Sequence, residues 1–215
     1  MDLHFSVTQL SRRASKATTK DMIACDRLLK YVASTPNFGL TFCTYGDPLD
    51  LHVMCDVSYN CYPDSSKSHT GVSLHLGRSS CAFMTISKKQ TIIADSSTVA
   101  EFIGTHAAVK AILWVRNLLT ELDYPQVKET TILYQDNEST INMISHKGNA
   151  GRSKHIQLRY NIIRECVAQA IIKVTYCPTT LMIADTLTKP LGQPLFSIHQ
   201  TRLLNLSRPT VSVPL

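Results

Sequence analysis

The order of hydropathy patterns along the chain is the feature that most constrains its fold. From residue 51, three stretches with the alternation typical of strands follow one another through short connections. A long stretch with helical spacing comes next, and two further strand patterns then alternate with helical ones. Strands joined by short turns pair antiparallel, whereas strands separated by helices pair parallel. The pattern predicts an α/β fold: a mixed five-stranded sheet with three antiparallel strands and then two parallel strands, flanked by helices.

The same patterns predict the individual elements. A small N-terminal helical segment with one apolar face covers 19–35, a strand follows at 39–45, and the turn residues at 46–50 mark a module boundary. Trp114 has the spacing of a core residue, and the residues after about 205 resemble a poorly ordered tail. The predicted strands of the sheet are 51–57, 70–77, 80–87, 130–136 and 170–176. The predicted helices beside it are 97–121, 138–145 and 153–169.

Composition excludes several classes of protein. The chain has 215 residues, of which 44% are apolar and 18% charged, so it is too apolar for a wholly disordered protein. No apolar run approaches the roughly 18 residues of a membrane span, and the first residues lack the layout of a signal peptide. We therefore expect no membrane partner. Seven cysteines without a CxxC pair indicate a reducing compartment, and we expect the protein in the cytoplasm.

Positive charge is concentrated in the last third of the chain. Residues 145–215 carry nine Lys and Arg against two acids, a net charge of +7, while the formal charge of the whole chain is +6. This distribution is typical of a polyanion partner, nucleic acid first, and a solubilising excess of Lys and Arg is the alternative interpretation. A solvated helix face or a strand end also accounts for each candidate phosphate contact. These candidates are Lys88, Lys89, Lys154, His155, Arg159 and Lys189.

Four acids stand where an acid is costly. Asp56 and Asp136 each end an apolar strand, Glu101 lies in the first turn of the long helix, and Asp185 has apolar neighbours. Strand ends and helix starts meet at one edge of such a sheet, and converging carboxylates need a cation to offset their repulsion. Oxygen ligands without His or Cys favour Mg²⁺, with Mn²⁺ as the second choice. Two such ions can activate water for phosphodiester hydrolysis.

Each acid also has a structural interpretation. Asp136 and Asp185 have the placement of helix caps, and Glu101 could merely complement the dipole of its helix. A purely structural role explains Asp56 least well, because this residue follows four mostly apolar residues. Spacing alone leaves both interpretations open.

A family signature accompanies these acids. Residues 51–191 contain, in order, K-S-H-T-G (67–71), S-K-K-Q (87–90), S-S-T-V-A-E-F (96–102), D-N (136–137), S-K-H-I (153–156) and A-D-T-L-T-K-P-L (184–191). This stretch resembles the ribonuclease H domain of copia-type retrotransposon Pol polyproteins. Residues 1–46 resemble the end of the preceding reverse transcriptase and its connection, and 192–215 form a C-terminal tail.

The resemblance implies a function and a site. We expect a Mg²⁺-dependent endoribonuclease that cleaves the RNA strand of RNA–DNA hybrids with two metal ions. Its catalytic and metal-binding residues would be Asp56, Glu101, Asp136 and Asp185, with Asp56 contacting both ions. Ser58 and Asn137 would contact the hybrid or support the carboxylates.

The resemblance also implies partners and a setting. The partners would be an RNA–DNA hybrid and a reverse transcriptase domain of the same element. The setting would be cytoplasmic virus-like particles, with access to the nucleus. The alternative function is a catalytically silent, nucleic-acid-binding remnant or domesticated fragment, and the same acids would then hold no ion that matters for its role.

Overall fold

Five strands and six α-helices make up the described parts of the chain. The structure is a computed structural model, and it describes residues 1–42, 49–77, 79–124, 130–145 and 154–206. The strands are β1 (Leu51–Tyr62), β2 (Lys67–Leu76), β3 (Ala82–Lys89), β4 (Thr131–Gln135) and β5 (Ile172–Tyr176). The helices are α1 (His4–Ser11), α2 (Thr19–Ser34), α3 (Ser97–Glu121), α4 (Glu138–Ser145), α5 (Lys154–Ala168) and α6 (Gln193–Leu204). Three short 3₁₀ helices are η1 (Ala14–Lys16), η2 (Thr179–Leu181) and η3 (Ile183–Leu187).

The strands form one mixed sheet in the order β3-β2-β1-β4-β5. The pairs β1–β2 and β2–β3 are antiparallel, and the pairs β1–β4 and β4–β5 are parallel. The predicted fold class, three antiparallel strands followed by two parallel ones, is confirmed. Strand β1 lies at the centre of the sheet, between β2 and β4.

Helix α3 supplies the largest part of the core. Ser96 begins it by accepting a hydrogen bond from the backbone N–H of Val99 at 3.2 Å. Its buried face, which includes Phe102 and Ile112, packs against β1 and β2. Gly104 allows the close approach to β1, because a Cβ atom there would lie 2.4 Å from a methyl carbon of Val57. The helix therefore lies tightly against the strand that carries Asp56.

The same helix is long and apolar enough, by length and composition only, to span a membrane, and no other described helix is. Most of that stretch is buried inside the protein, where it packs against the sheet and α5. Packing in the core accounts for its apolar composition. The expectation that the protein has no membrane partner stays a prediction.

Three sequence-based expectations about local structure are wrong. Residues 39–42 form no strand, because Thr41 makes isolated hydrogen bonds with Leu204 and Cys81 instead of a ladder; the rest of the predicted strand, 43–45, lies outside the described residues. Strand β1 runs to Tyr62, through residues that have the composition of a loop, because a register shift after Ser58 lets it re-pair with β2. Trp114 is 58% exposed, since it lies on the side of α3 turned away from the sheet.

The N-terminal and C-terminal segments pack against the sheet and against each other. Helix α1 lies along β3, where His4 Nδ1 is 2.9 Å from the Thr85 hydroxyl. Gln200 of α6 hydrogen-bonds to Asp2 at 3.0 Å and to Tyr31 of α2. The apolar face of α2 stays exposed, with Met22 and Leu29 more than half accessible. The division of the chain at 1–46, 51–191 and 192–215 stays a prediction; the last range contains α6.

Candidate metal centre

Three carboxylates converge at one edge of the sheet. Asp56 lies in β1, Asp136 directly follows the neighbouring parallel strand β4, and Glu101 lies in α3, which packs on β1. Carboxylate oxygens of these three residues all lie within 4.8 Å of one another. Asp56 does not end its strand as predicted, because β1 continues to Tyr62. The parallel register pairs Met54 with Tyr134, so Asp56 lies level with the end of β4, where Asp136 follows.

The fourth acid, Asp185, comes to the same place from η3. This 3₁₀ helix packs on β1 and β2, and Asp185 is almost fully buried. Burial, and then the charge of Asp56, raise the pKa of Asp185 to about 7. The structure thus brings Asp56, Glu101 and Asp136 into one cluster and places Asp185 beside it.

The side chains around this cluster do not fully neutralise its negative charge. Burial and then the charges of Asp56 and Asp136 hold the pKa of Glu101 well above its usual range. Burial and then Asp56 also raise the pKa of Asp136. Three carboxyls with raised pKa values, together with the buried Asp56, are a donor set that a hard divalent cation would neutralise, so the residues fit Mg²⁺ or Mn²⁺.

The structural interpretations of three of these acids do not hold. Asn137, and not Asp136, caps α4, because its side-chain oxygen accepts the backbone N–H of Thr140 at 2.8 Å. Ser96 caps α3, and Glu101 lies beyond the first turn. Asp185 lies inside η3, so it does not cap that helix. The residue that caps α4 is therefore Asn137, one position after the Asp136 that the sequence suggested.

Lys189 lies among the carboxylates. Its Nζ atom is 3.0 Å from Oδ1 of Asp185 and 3.9 Å from Oδ2 of Asp56. Burial opposes the charge of this ammonium, but Asp56 and Asp185 raise its pKa. The sequence-based expectation placed Lys189 on nucleic acid; the structure places its charge against the acids.

Neutral side chains hold the acids in place, and sequence reasoning did not single them out. Thr188 donates a hydrogen bond to Asp56, and Thr179 donates one to Asp136 at 3.0 Å. The Gln135 amide donates to Glu101 at 3.3 Å, while its oxygen accepts the backbone N–H of Asp136 at 2.8 Å. Thr188 lies in the A-D-T-L-T-K-P-L string, but Gln135 has the pattern of an ordinary strand residue.

A buried hydrogen-bonded chain ties η3 to the sheet and to α1. The Ser87 hydroxyl donates to the backbone oxygen of Leu187 at 2.8 Å and contacts Nε2 of His69 at 2.8 Å. Nδ1 of His69 lies 2.5 Å from the hydroxyl of Tyr62, which accepts from Gln9 of α1 at 2.7 Å. Burial lowers the pKa of His69 to about 4, so this imidazole is neutral near pH 7. We call this the His69 chain.

The other residues that were predicted to contact nucleic acid lie in separate parts of the structure. Lys88, Lys89 and Arg159 line a groove of about 420 Å³ between β3 and α3, together with Lys110 and His106. Burial and then the charges of Arg159, Lys110 and Lys88 lower the pKa of His106 to about 4, which reflects the positive potential there.

The four other predicted contacts lie elsewhere. Ser58 follows Asp56 on β1 and lines a second groove with Lys189. Asn137 is engaged in capping α4. Lys154 and His155 lie at the start of α5, but their side chains are outside the described residues.

Comparison with known proteins identifies relatives among transposon polyproteins. The chain is 32% identical over 202 residues to the retrovirus-related Pol polyprotein from transposon RE1 of Arabidopsis thaliana, and 33% identical over 195 residues to that from transposon RE2. It is 28% identical over 197 residues to the Pol polyprotein from transposon TNT 1-94 of Nicotiana tabacum. These matches cover 91–94% of the chain but only 13–14% of each relative. No protein-family model matches the chain.

Similar solved structures include bacterial and archaeal ribonucleases H. The N-terminal ribonuclease H domain of a Mycobacterium tuberculosis protein is similar with a TM-score of 0.48 and 12% identity, covering 70% of this chain and 96% of that one. Ribonuclease H1 of Halobacterium salinarum is similar with a TM-score of 0.44 and 14% identity, covering 65% and 94%. Nearly the whole chain thus matches a segment of the copia-type retrotransposon Pol polyproteins, and its mixed five-stranded sheet with flanking helices has a ribonuclease H-like fold.

Proposed function

We propose that this protein hydrolyses the RNA strand of RNA–DNA hybrids with divalent metal ions. One observation carries the proposal: Asp56, Glu101 and Asp136 share one cluster, and Asp185 is buried beside it. The four acids would hold Mg²⁺, with Mn²⁺ as a substitute. Two ions bound there supply an activated water and a counter-charge for the leaving oxygen of a phosphodiester.

The protein's own side chains would orient and restrain this site. Thr188, Thr179 and Gln135 each donate a hydrogen bond to one carboxylate, which would fix the orientation of that carboxylate toward a cation. Lys189 supplies a positive charge against Asp56 and Asp185 before an ion arrives. Restriction to the RNA strand requires that the surface around the acids distinguish a ribose 2′-hydroxyl from deoxyribose.

The proposal extends to the organisation of the chain and to its partners. Residues 51–191 would be the ribonuclease domain, 1–46 the end of a reverse transcriptase segment, and 192–215 a tail. The chain spans about one-seventh of the length of its curated relatives, so a reverse transcriptase domain of the same element is a proposed partner. Action in the cytoplasm, in virus-like particles, follows from the same proposal.

The test is cleavage of an RNA–DNA hybrid labelled on the RNA strand, in Mg²⁺ and in Mn²⁺. We expect the intact chain to cut the RNA strand, and we expect Asp136→Asn to abolish the cut. Asp95→Asn, which neutralises an exposed acid before α3, is the matched control and should cut normally. A folded chain that binds the hybrid equally with and without metal, and never cuts it, would favour the silent nucleic-acid-binding alternative.

A further inference from the structure

A second groove opens beside the carboxylates, between the N-terminal segment and the end of β1. It has a volume of about 530 Å³. Arg12, Arg13 and Lys16 line one side, and Ser58, Thr188 and Lys189 line the other. We call it the N-terminal groove. Because Thr188 and Lys189 also contact Asp56, the groove is continuous with the acid cluster.

Its charge is strongly positive. Four cations line the groove, namely Arg12, Arg13, Lys16 and Lys189, against one acid, Asp64. Lys189 is directed at the carboxylates, so the three cations of the N-terminal segment provide the charge on the outer side. A groove that is negative at one end and positive along its outer wall suits a chain of phosphates that passes over a metal site.

The arginines are positioned but not locked. The Arg12 guanidinium lies 3.9 Å from the centre of the Tyr62 ring and 3.7 Å from Asp64, whose side chain is largely exposed. Arg13 pairs with Asp21 at 3.2 Å while its own side chain is 64% exposed. In each pair one partner is largely exposed to solvent, and such pairs contribute little stability, so exchanging the carboxylate for a phosphate costs little. Guanidinium groups also suit the bidentate recognition of phosphate.

The helix that precedes these cations, α1, is fixed to the sheet. Gln9 of α1 donates to the Tyr62 hydroxyl at 2.7 Å, and the Phe5 ring packs edge-on against His69 at 5.3 Å. Both contacts are made to residues of the His69 chain, which also holds η3. The N-terminal groove therefore has two walls whose relative position is set by the same buried residues.

We propose that the N-terminal groove binds the phosphate backbone of the nucleic acid strand that continues from the carboxylate site. This inference rests on the proposed function and deepens it, because it assigns residues 12–16 to substrate binding. The segment would thereby extend the binding surface beyond the sheet.

The first test is the salt dependence of hybrid binding in an Asp136→Asn background, which prevents cleavage. We expect Arg13→Gln/Lys16→Gln to weaken binding about tenfold or more at 0.1 M salt and to reduce the slope of log affinity on log salt by about 1 to 2. The matched control is Arg27→Gln/Lys30→Gln, which removes the same charges from exposed positions on α2. Helix α2 keeps its capping box in both variants, because Thr18 and Asp21 are unchanged.

The second test uses Cys61, an exposed thiol that lines the groove. Bound hybrid should slow its alkylation at least several-fold, as measured by mass spectrometry. Cys25 on α2, which does not line the groove, should react at an unchanged rate and serves as the internal control.

The outcomes separate this inference from the proposed function. If the unmodified chain cuts the hybrid, but the groove variant binds like the control and Cys61 is not protected, the groove proposal is wrong and the proposed function stands. If the chain cuts nothing, but Cys61 is protected and the salt slope falls, the groove proposal stands and the proposed activity is wrong. If the chain does not bind the hybrid at all, both are wrong.

Discussion

Thr188 lies directly over Gly71. A Cβ atom on Gly71 would come within 2.6 Å of the methyl carbon of Thr188 and 2.8 Å of the backbone oxygen of Ala184. Gly71 is also the residue opposite Asp56 in the β1–β2 ladder, and Thr188 donates a hydrogen bond to Asp56. The missing side chain is what lets η3 close on the strand beside the acids, and η3 brings Asp185.

Gly71→Ala should therefore separate η3 from the sheet. Overpacking of this kind costs about 1–3 kcal/mol, and each kcal/mol lowers Tm by roughly 2–4 °C in a chain of this size. We expect cleavage to fall by about 100-fold, because a displacement near 1 Å at a reacting site is enough for that loss. Gly39→Ala, where a Cβ atom would meet nothing within 4 Å, should leave Tm and cleavage unchanged. A fully active Gly71→Ala protein would contradict this account of η3.

Stabilisation by Mg²⁺ should grow with pH. A carboxyl whose folded pKa is raised destabilises the fold once it ionises, so its cost is absent below the unfolded value near 3.8 and complete above the folded value. For Asp185 that folded value is about 7, and Glu101 and Asp136 shift in the same direction. A bound cation removes the cost. We expect the difference in Tm between Mg²⁺ and EDTA to be large at pH 8 and to shrink as the pH falls to 5.

The difference between the two conditions isolates the carboxylates. Buried histidines with lowered pKa values, such as His69 and His75, also change stability with pH, but they do so equally with and without metal. Asp136→Asn removes one of the repelling charges, so it should raise Tm in EDTA at pH 8 and reduce the Mg²⁺ effect. A Mg²⁺ effect that is independent of pH would mean that the ion binds away from these acids.

Lys189→Met should tighten metal binding. The Lys189 ammonium is a positive charge beside Asp56 and Asp185, and it competes with any cation for the same oxygens. We expect Mg²⁺ to bind about tenfold tighter by calorimetry, on the scale of a close charge pair at a partly solvated site. Tm in EDTA should fall, because the acids lose their counter-charge.

A control for this change is Lys173→Met, which removes an exposed cation on β5. It should leave Mg²⁺ affinity unaltered. If Lys189→Met leaves Mg²⁺ affinity unaltered as well and weakens only hybrid binding, then the sequence-based assignment of Lys189 to nucleic acid is the correct one.

Ser87→Ala should loosen η3 without touching an acid. The change leaves the Leu187 carbonyl and the His69 ring without their shared partner, at a cost of about 1–3 kcal/mol. We expect Tm to fall by several degrees and Mg²⁺ affinity to fall several-fold, because Asp185 is carried by η3. Ser145→Ala, at an exposed hydroxyl on α4, should change neither quantity. A lower Tm with unchanged Mg²⁺ affinity would show that the His69 chain stabilises the fold but does not position the site.

The parts of the fold that the sequence predicted are those governed by local periodicity. Helix α3 has the predicted bounds, and the sheet has the predicted directions. Asp56 and Asp136 could be placed together because their strands were predicted to be parallel, although β1 continues past Asp56 to Tyr62. The apolar neighbours of Asp56, Glu101 and Asp185, which are buried, were also visible in the sequence.

What the sequence did not predict depends on contacts between distant segments. Trp114 has core spacing, but which side of α3 faces the sheet is decided by the partners of that helix. Gly71 and Thr188 lie in the family-signature strings, but nothing in those strings shows that the two residues meet beside Asp56. Gln135 has the pattern of an ordinary strand residue. The continuation of β1 to Tyr62 depends on re-pairing after a bulge, which overrides the polar composition of that stretch.

The closure of η3 has a consequence for when the site comes into existence. The hydrogen bond from Thr188 to Asp56 joins residues 132 positions apart, and contacts of such separation form late in folding. A growing chain can assemble β1 to β4 with three of the acids, yet it lacks Asp185 until the last strand has paired and η3 has docked. The set of four acids is therefore complete only when the whole sheet and η3 have folded.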